Sequence, residues 1–299
     1  MATQEKRSVP HIERTAAEPR DNDLHPVMLS QITQINSTIR LLRLTPVEKE
    51  PVQFQPGQWV DLHIPSLPSP GGFTLTSTPS LSSTYLELAI QRPPSPSPSY
   101  KTSSLPTPAH WLWQPTSQIL NSQLGIRIGG SFTWPPPLLA SNLKRVVFIA
   151  GGVGINPLIS MLSVIAEQKK TGGVEGGNLG FDVIFLYSVR SSSDSEGRNE
   201  EILFLSRLRD IFKLLDKEGE LKLFVTGKKG GEVQGSEGVK LERRRIDERD
   251  LEDALGDLGD RDGTVVYVCG VPGMTDRFVE SAVKAEGMDG KRVLSEKWW

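Results

Sequence analysis

The 299-residue sequence holds a single cysteine, Cys269. That scarcity excludes an intramolecular disulfide framework and a built-in iron–sulfur cluster, which needs a set of thiolates, and it fits a reducing, intracellular setting. Four histidines, His11, His25, His63 and His110, are scattered and show none of the short spacings of zinc sites, so no metal ligand set is assigned. No apolar run approaches the roughly 20 residues that span a bilayer; the longest, around 146–155, is broken by glycines. Charge is almost balanced, 34 basic against 36 acidic residues for a net −2, and no basic patch is interleaved with aromatics, which argues against nucleic acid as a partner. The phosphate-binding P-loop and the Gly-x-Ser-x-Gly elbow are also missing, which removes the usual sequence arguments for an NTPase or a serine hydrolase. What remains, 37 % hydrophobic and 23 % charged, is the composition of a chain that folds around a core, and its length suits two domains.

Two grammars follow one another along the chain. Residues 1–25 carry mixed charge and little apolar periodicity, and read as an N-terminal tail. Residues 26–140 are mostly β: approximate alternation at 32–44 and 59–64, then short runs at 73–78, 85–90 and 125–128 bounded by Gly, Pro and Ser, predict an antiparallel barrel. Pro93, Pro94, Pro96, Pro98, Pro106 and Pro108 predict a long surface loop, a variable insertion or a lid, leading to Trp111 and Trp113. Residues 141–299 read as an α/β doubly wound parallel sheet. Buried strands are expected at 145–150, 181–187, 221–226 and 265–269, with helices at about 157–169 and 200–215. Asp247 and Asp250 form a capping pair, Ile246 and Leu251 a hydrophobic staple, and the glycine-rich stretches 171–180 and 227–238 are expected as loops.

Two glycine turns carry the chemistry. Ala150-Gly-Gly-Val-Gly-Ile-Asn-Pro157 lies between a buried strand and a helix. Gly151, Gly152 and Gly154 let a pyrophosphate approach the backbone, and Pro157 pre-sets a first helical turn whose free N–H groups attract anions. A tight turn without a ligand is the alternative, since the letters differ from Gly-x-Gly-x-x-Gly. Val268-Cys-Gly-Val-Pro-Gly-Met274 ends the last predicted strand, so both turns face one crevice beyond the carboxyl ends of the sheet.

The order Pro56-Gly-Gln-Trp59, Gly72-Phe-Thr-Leu-Thr-Ser-Thr-Pro79, Gly151-Gly-Val-Gly-Ile-Asn-Pro157 and Cys269-Gly-Val-Pro-Gly-Met274 resembles the ferredoxin–NADP reductase superfamily. The branch it is most similar to is the oxidoreductase NAD-binding domain-containing proteins, with the closing Glu296-Lys-Trp-Trp299. The resemblance implies a six-stranded flavin-binding barrel, then a nicotinamide-nucleotide domain, with hydride passing from NADH or NADPH to FAD. It places Phe73 on the isoalloxazine, Thr74 near its reactive nitrogen, and Thr76 and Ser77 in the segment beside the flavin. Cys269 then stands at the nicotinamide, Gly270, Pro272 and Met274 shape that pocket, and Trp298 or Trp299 covers the other flavin face, burial at a domain interface being the alternative for both. Thr74, Cys269 and Trp299 are thereby the catalytic candidates.

One position departs from the pattern. Where the family carries an arginine that pairs with the flavin phosphate, this chain has Gly71. FAD is then expected to be held partly by the Trp111 region and amides near Ser117, with FMN as the alternative. Arg190, after the second strand of the nucleotide domain, is placed to meet the adenine ribose; the branch favours NADH, and that arginine leaves NADPH open. Electrons pass to a separate acceptor: a quinone-like molecule, oxygen or a redox protein. A nucleotide-binding regulatory protein that kept the fold and lost catalysis stays open because of Gly71, as does a flavin-free dehydrogenase. Relatives imply a mitochondrial location, while the acidic start of the chain leaves the cytoplasm as the alternative.

Overall fold

The computed structural model describes residues 11–48, 50–94, 107–137, 142–172, 178–190, 201–227 and 239–298. Its first half is a six-stranded antiparallel sheet: β1 (His25–Asn36), β2 (Ile39–Pro46), β3 (Trp59–His63), β4 (Gly71–Thr74), β5 (Leu86–Gln91) and β6 (Gln123–Gly129), in the order β4-β3-β6-β1-β2-β5. The sheet is barrel-like without being closed, because β4 ends at Thr74 and its edge meets β5 only through the bridge Leu75 to Leu88. Val27, Leu42, Val60, Leu62, Leu88 and Ile126 fill its interior. Three short helices accompany it: α1 (His11–Arg14), α2 (Pro108–Leu112) and α3 (Thr116–Ile119).

The second half is a six-stranded parallel sheet in the order β10-β9-β8-β7-β11-β12, formed by β7 (Arg145–Gly151), β8 (Asp182–Arg190), β9 (Gly219–Thr226), β10 (Val239–Glu242), β11 (Thr264–Cys269) and β12 (Val293–Glu296). Its helices are α4 (Ile155–Thr171), α5 (Leu205–Leu215), α6 (Glu248–Leu255) and α7 (Pro272–Lys284). β7 is apolar from Val146 onward because both faces are covered there. Val146, Phe148 and Ala150 face the core shared with α4 and α5, whereas Val147 and Ile149 face the one shared with α6 and α7. Asp247 caps α6 in a full capping box with Asp250, and Ile246 and Leu251 both enter the α6–α7 core. No described helix is long and apolar enough to cross a membrane.

Several expectations need correction. The stretch 32–44 is not one strand but the two arms of the β1–β2 hairpin, because Asn36 Oδ1 accepts hydrogen bonds from the backbone N–H (2.9 Å) and hydroxyl (3.0 Å) of Thr38 and turns the chain. The predicted strand 73–78 stops at Thr74 before a turn beginning at Pro79. α5 begins at Leu205 rather than near 200, since Phe204 takes a left-handed φ of 59° that breaks helical propagation. β10 and β12, four residues each, and α7 extend the predicted α/β pattern. Residues 11–20, read as part of a tail, dock on the first sheet: Arg20 reaches Asp61, and Gly130 N–H donates to Pro19 O. Residues 1–10, the boundary at 140, prolines 96, 98 and 106, and most of the two glycine-rich stretches lie outside the described residues.

Candidate functional site

The two glycine turns meet. β7 ends at Gly151, one 3-10 turn (Gly152–Gly154) follows, and α4 starts at Ile155. Gly152 has φ +55°, a conformation that strains any side chain. Gly154 is required for a different reason: a Cβ there would lie 2.3 Å from the Cys269 carbonyl oxygen, so only hydrogen lets the turn sit on the end of β11. A Cβ on Gly270 would in turn reach Gly151 Cα at 3.1 Å.

α4 then reaches across to the first sheet. Asn156 Nδ2 donates to Ala89 O on β5 (2.9 Å), and Ser160 Oγ donates to Ser77 O (2.6 Å). These bonds hold β4 and β5 opposite the glycine turns and leave a crevice of about 390 Å³ lined by Phe73, Thr74, Gly151, Gly152, Gly270 and Trp298. Its size falls in the range of small-molecule sites, roughly 300–1,000 Å³. Phe73 presents a half-buried ring and Thr74 is almost fully buried. Gly71 has no room to spare: a Cβ there would come within 2.8 Å of both the Phe73 ring and Pro108 Cβ.

Trp298 is fixed from the N-terminal side. Arg14 Nη1 donates to Trp298 O (2.7 Å), the Arg14 guanidinium lies 5.9 Å from the indole centroid, and His11 stacks on the indole at 6.0 Å with 13° between planes. His11 itself is wedged over Gly72, where a Cβ would clash with its ring, and its Nε2 lies 3.1 Å from Asp61 Oδ1. Beneath Trp298, parallel pairing of β12 with β11 sets Glu296 beside Cys269. Burial, and then the Glu296 charge, push the Cys269 thiol pKa well above its ordinary value; a hydrogen bond with the Trp298 side chain pulls it partly back. Glu296 is raised too, first by burial and then by Glu18. Its Oε2 is enclosed and has no hydrogen-bond partner among the described residues. Burial thus disfavours the charged form of both groups.

Of the residues expected at the site, Phe73, Thr74, Gly151, Gly152, Gly154, Gly270 and Trp298 line the crevice, and Cys269 is fully buried at the end of β11 just below it. Pro157 is buried in the first turn of α4, off the lining. Arg190 stands in an adjoining cavity of about 300 Å³ that shares Gly152. Thr76 and Ser77 lie off this lining: Thr76 Oγ1 donates to Glu87 Oε1 (3.0 Å), Ser77 Oγ accepts from the Glu87 N–H, and both face a separate cavity toward α5. Trp111 packs on the first core, Pro272 is exposed at the start of α7, and Met274 turns its sulfur toward Gly151 and another cavity; these three do not line the crevice. Trp299 lies outside the described residues. His11, Arg14, Asn156 and Glu296 were not anticipated. For Glu296 the available signal was a carboxylate just after the short strand-like run Val293-Leu294-Ser295.

Comparison with known proteins bears on the family and the fold. The oxidoreductase NAD-binding domain profile matches residues 148–280. Oxidoreductase NAD-binding domain-containing protein 1 of Xenopus tropicalis is 31 % identical over 98 % of this chain and 85 % of its own length. The Homo sapiens protein of the same name is 30 % identical over 98 % and 86 %. Among solved structures, the cytochrome b5 reductase domain of Ulva prolifera nitrate reductase superposes with a TM-score of 0.65 at 16 % identity, covering 92 % of this chain and 97 % of that one. A Malassezia yamatoensis flavohemoglobin with bound FAD and heme gives 0.63 at 18 % identity, covering 95 % of this chain and 62 % of that one. The fold is thus that of the ferredoxin–NADP reductase-like two-domain proteins. With its four sequence segments in order, its two sheets and this near full-length similarity, the chain belongs to the family of oxidoreductase NAD-binding domain-containing proteins.

Proposed function

We propose that the protein is an NAD(P)H-dependent flavin oxidoreductase in which residues 26–140 hold FAD and residues 141–299 hold the nicotinamide nucleotide. The observation that carries this reading is the single crevice with an aromatic ring and a buried hydroxyl, Phe73 and Thr74, on one wall and the paired glycine turns on the other. The residues suit the groups. Phe73 and Trp298 offer two aromatic surfaces for a planar ring system, while Gly152 and Gly270 keep the opposite wall free of side chains. Bound there, the two cofactors supply hydride transfer.

The chain's own residues position and insulate. Phe73 and Trp298 exclude water from the faces they cover, and the Thr74 hydroxyl supplies a buried hydrogen-bonding group. Arg14 and His11 keep Trp298 in place. Burial disfavours the Cys269 thiolate, so a nicotinamide ring would meet an uncharged sulfur, and Glu296 pairs beside it on β12. Arg190 borders the route toward the adenine ribose, and NADH is the proposed donor, with NADPH as the alternative. Electrons leave to a separate small molecule or redox protein.

Gly71 favours one competing reading, a nucleotide-binding regulator with little catalysis. Desalting after incubation with FAD tests the flavin half directly: near-stoichiometric retention is expected, and a colourless protein would reject it. Mixing with NADH then separates enzyme from regulator.

A further inference from the structure

Two arginines converge on one indole beside the crevice. β2 pairs with β5 so that Ile39 faces Gln91 and Arg40 faces Ile90. Arg92 continues from β5, its N–H donating to Thr38 O (2.7 Å). The guanidinium carbons of Arg40 and Arg92 lie 4.7 Å and 5.3 Å from the Trp113 ring centroid. Such a pair is electrostatically unfavourable: burial, and then the Arg92 charge, lower the Arg40 pKa. No carboxylate among the described residues forms an ion pair with either, and Arg40 binds neutral acceptors only, the carbonyls of Leu112 and Gln114 and the Gln34 amide oxygen. Two polar atoms here also lack partners among the described residues, the buried Trp113 Nε1 and His110 Nε2.

Unbalanced positive charge beside unpartnered polar atoms is the arrangement of an anion site. Its position is informative. Gln91, the residue before Arg92, lines the crevice, and Pro108 at the start of α2 abuts Gly71, the position where the family's arginine is missing. We infer that Arg92 and Trp113, braced by Arg40, form the site for the pyrophosphate–adenylate half of a dinucleotide flavin, replacing the arginine absent at Gly71. A guanidinium fork matches a diphosphate, and an indole offers a stacking surface to a purine. Arg40 is committed to backbone carbonyls and serves as the brace; Arg92 is exposed and supplies the contact. The assignment rests on the flavin reading and makes that reading specific for FAD over FMN, which lacks this half.

Titration of flavin-free protein with FAD and with FMN, followed by flavin fluorescence, tests it in the full chain and in the variants Arg92→Ala and Arg92→Lys. Wild type is expected to prefer FAD. Arg92→Ala should weaken FAD by about ten- to a hundredfold and leave FMN within about twofold, with Arg92→Lys between the two. Retained FMN binding also reports that the variant is folded. An Arg92→Ala protein that binds FAD as wild type does, or that loses FAD and FMN alike, overturns the assignment while the flavin reading stands. A wild type that binds neither flavin overturns both.

Discussion

Substitution of Asp61 by asparagine removes the anchor of the N-terminal segment at almost constant shape. The Asp61 side chain is fully buried on β3, and its Oδ2 accepts from Arg20 Nε (3.0 Å) and Arg127 Nη2 (2.8 Å), while His11 Nε2 lies 3.1 Å from Oδ1. Burial pushes its pKa up, but the His11 ring against Oδ1 and the hydrogen bonds from Arg127 and Arg20 outweigh that and bring it down from 3.8 to about 2. Such a displacement is worth roughly 2 kcal/mol of stability at neutral pH. Because the folded value lies below the unfolded one, this contribution is complete above the ordinary carboxylate range and is lost as pH falls through about 2. Asp61→Asn should therefore unfold about 2 kcal/mol more easily at neutral pH, or roughly 4–8 °C lower in Tm. The gap should narrow steadily as urea melts are repeated below about pH 4. Release of His11 should also loosen Trp298, seen as a change in tryptophan emission. A variant as stable as wild type at neutral pH, or a gap that does not change on acidification, would refute the electrostatic account of this anchor.

Gly154→Ala places a methyl group 2.3 Å from a backbone oxygen that has no room to yield, so it should cost at least about 1–3 kcal/mol in urea melts and weaken NADH binding; unchanged values for both would contradict the close-packed turn. Glu296→Gln removes a carboxyl whose pKa is raised in the folded state. Ionising it opposes folding, so the variant should gain stability relative to wild type as pH rises, and a pH-independent difference would remove the buried-carboxyl argument. Cys269 is fully buried with its thiol pKa pushed up, and should resist iodoacetamide in the native protein while reacting fully after denaturation; rapid native labelling would show that the crevice floor is open.

How much of this was legible in the sequence depended on how local the signal was. The continuous apolar run of β7 and the glycine turn after it announce a strand covered on both faces and a tight entry into a helix, and Asp247 with Asp250 marks a helix start by itself. The β1–β2 turn was hidden because Asn36-Ser37-Thr38 lacks glycine and proline, and the side chain of Asn36 does the turning. Thr76 and Ser77 follow Phe73 and Thr74 in sequence, but the chain turns after Thr74 and points them to Glu87. The role of His11 and Arg14 was not legible at all, since it depends on Trp298 O and Asp61, which are remote in sequence and brought together only by the fold. Gly71 read as a lost contact, whereas the replacement proposed for it, Arg92 with Trp113, came into view only through the pairing of β2 with β5.

The central claim, that the crevice brings a nicotinamide nucleotide to a bound flavin, is tested most directly by adding NADH, and separately NADPH, to the FAD-loaded protein under anaerobic conditions while recording the visible flavin band. The account predicts that the band bleaches in a single exponential that saturates with nucleotide concentration. A flavin-loaded protein whose spectrum neither nucleotide alters would contradict it.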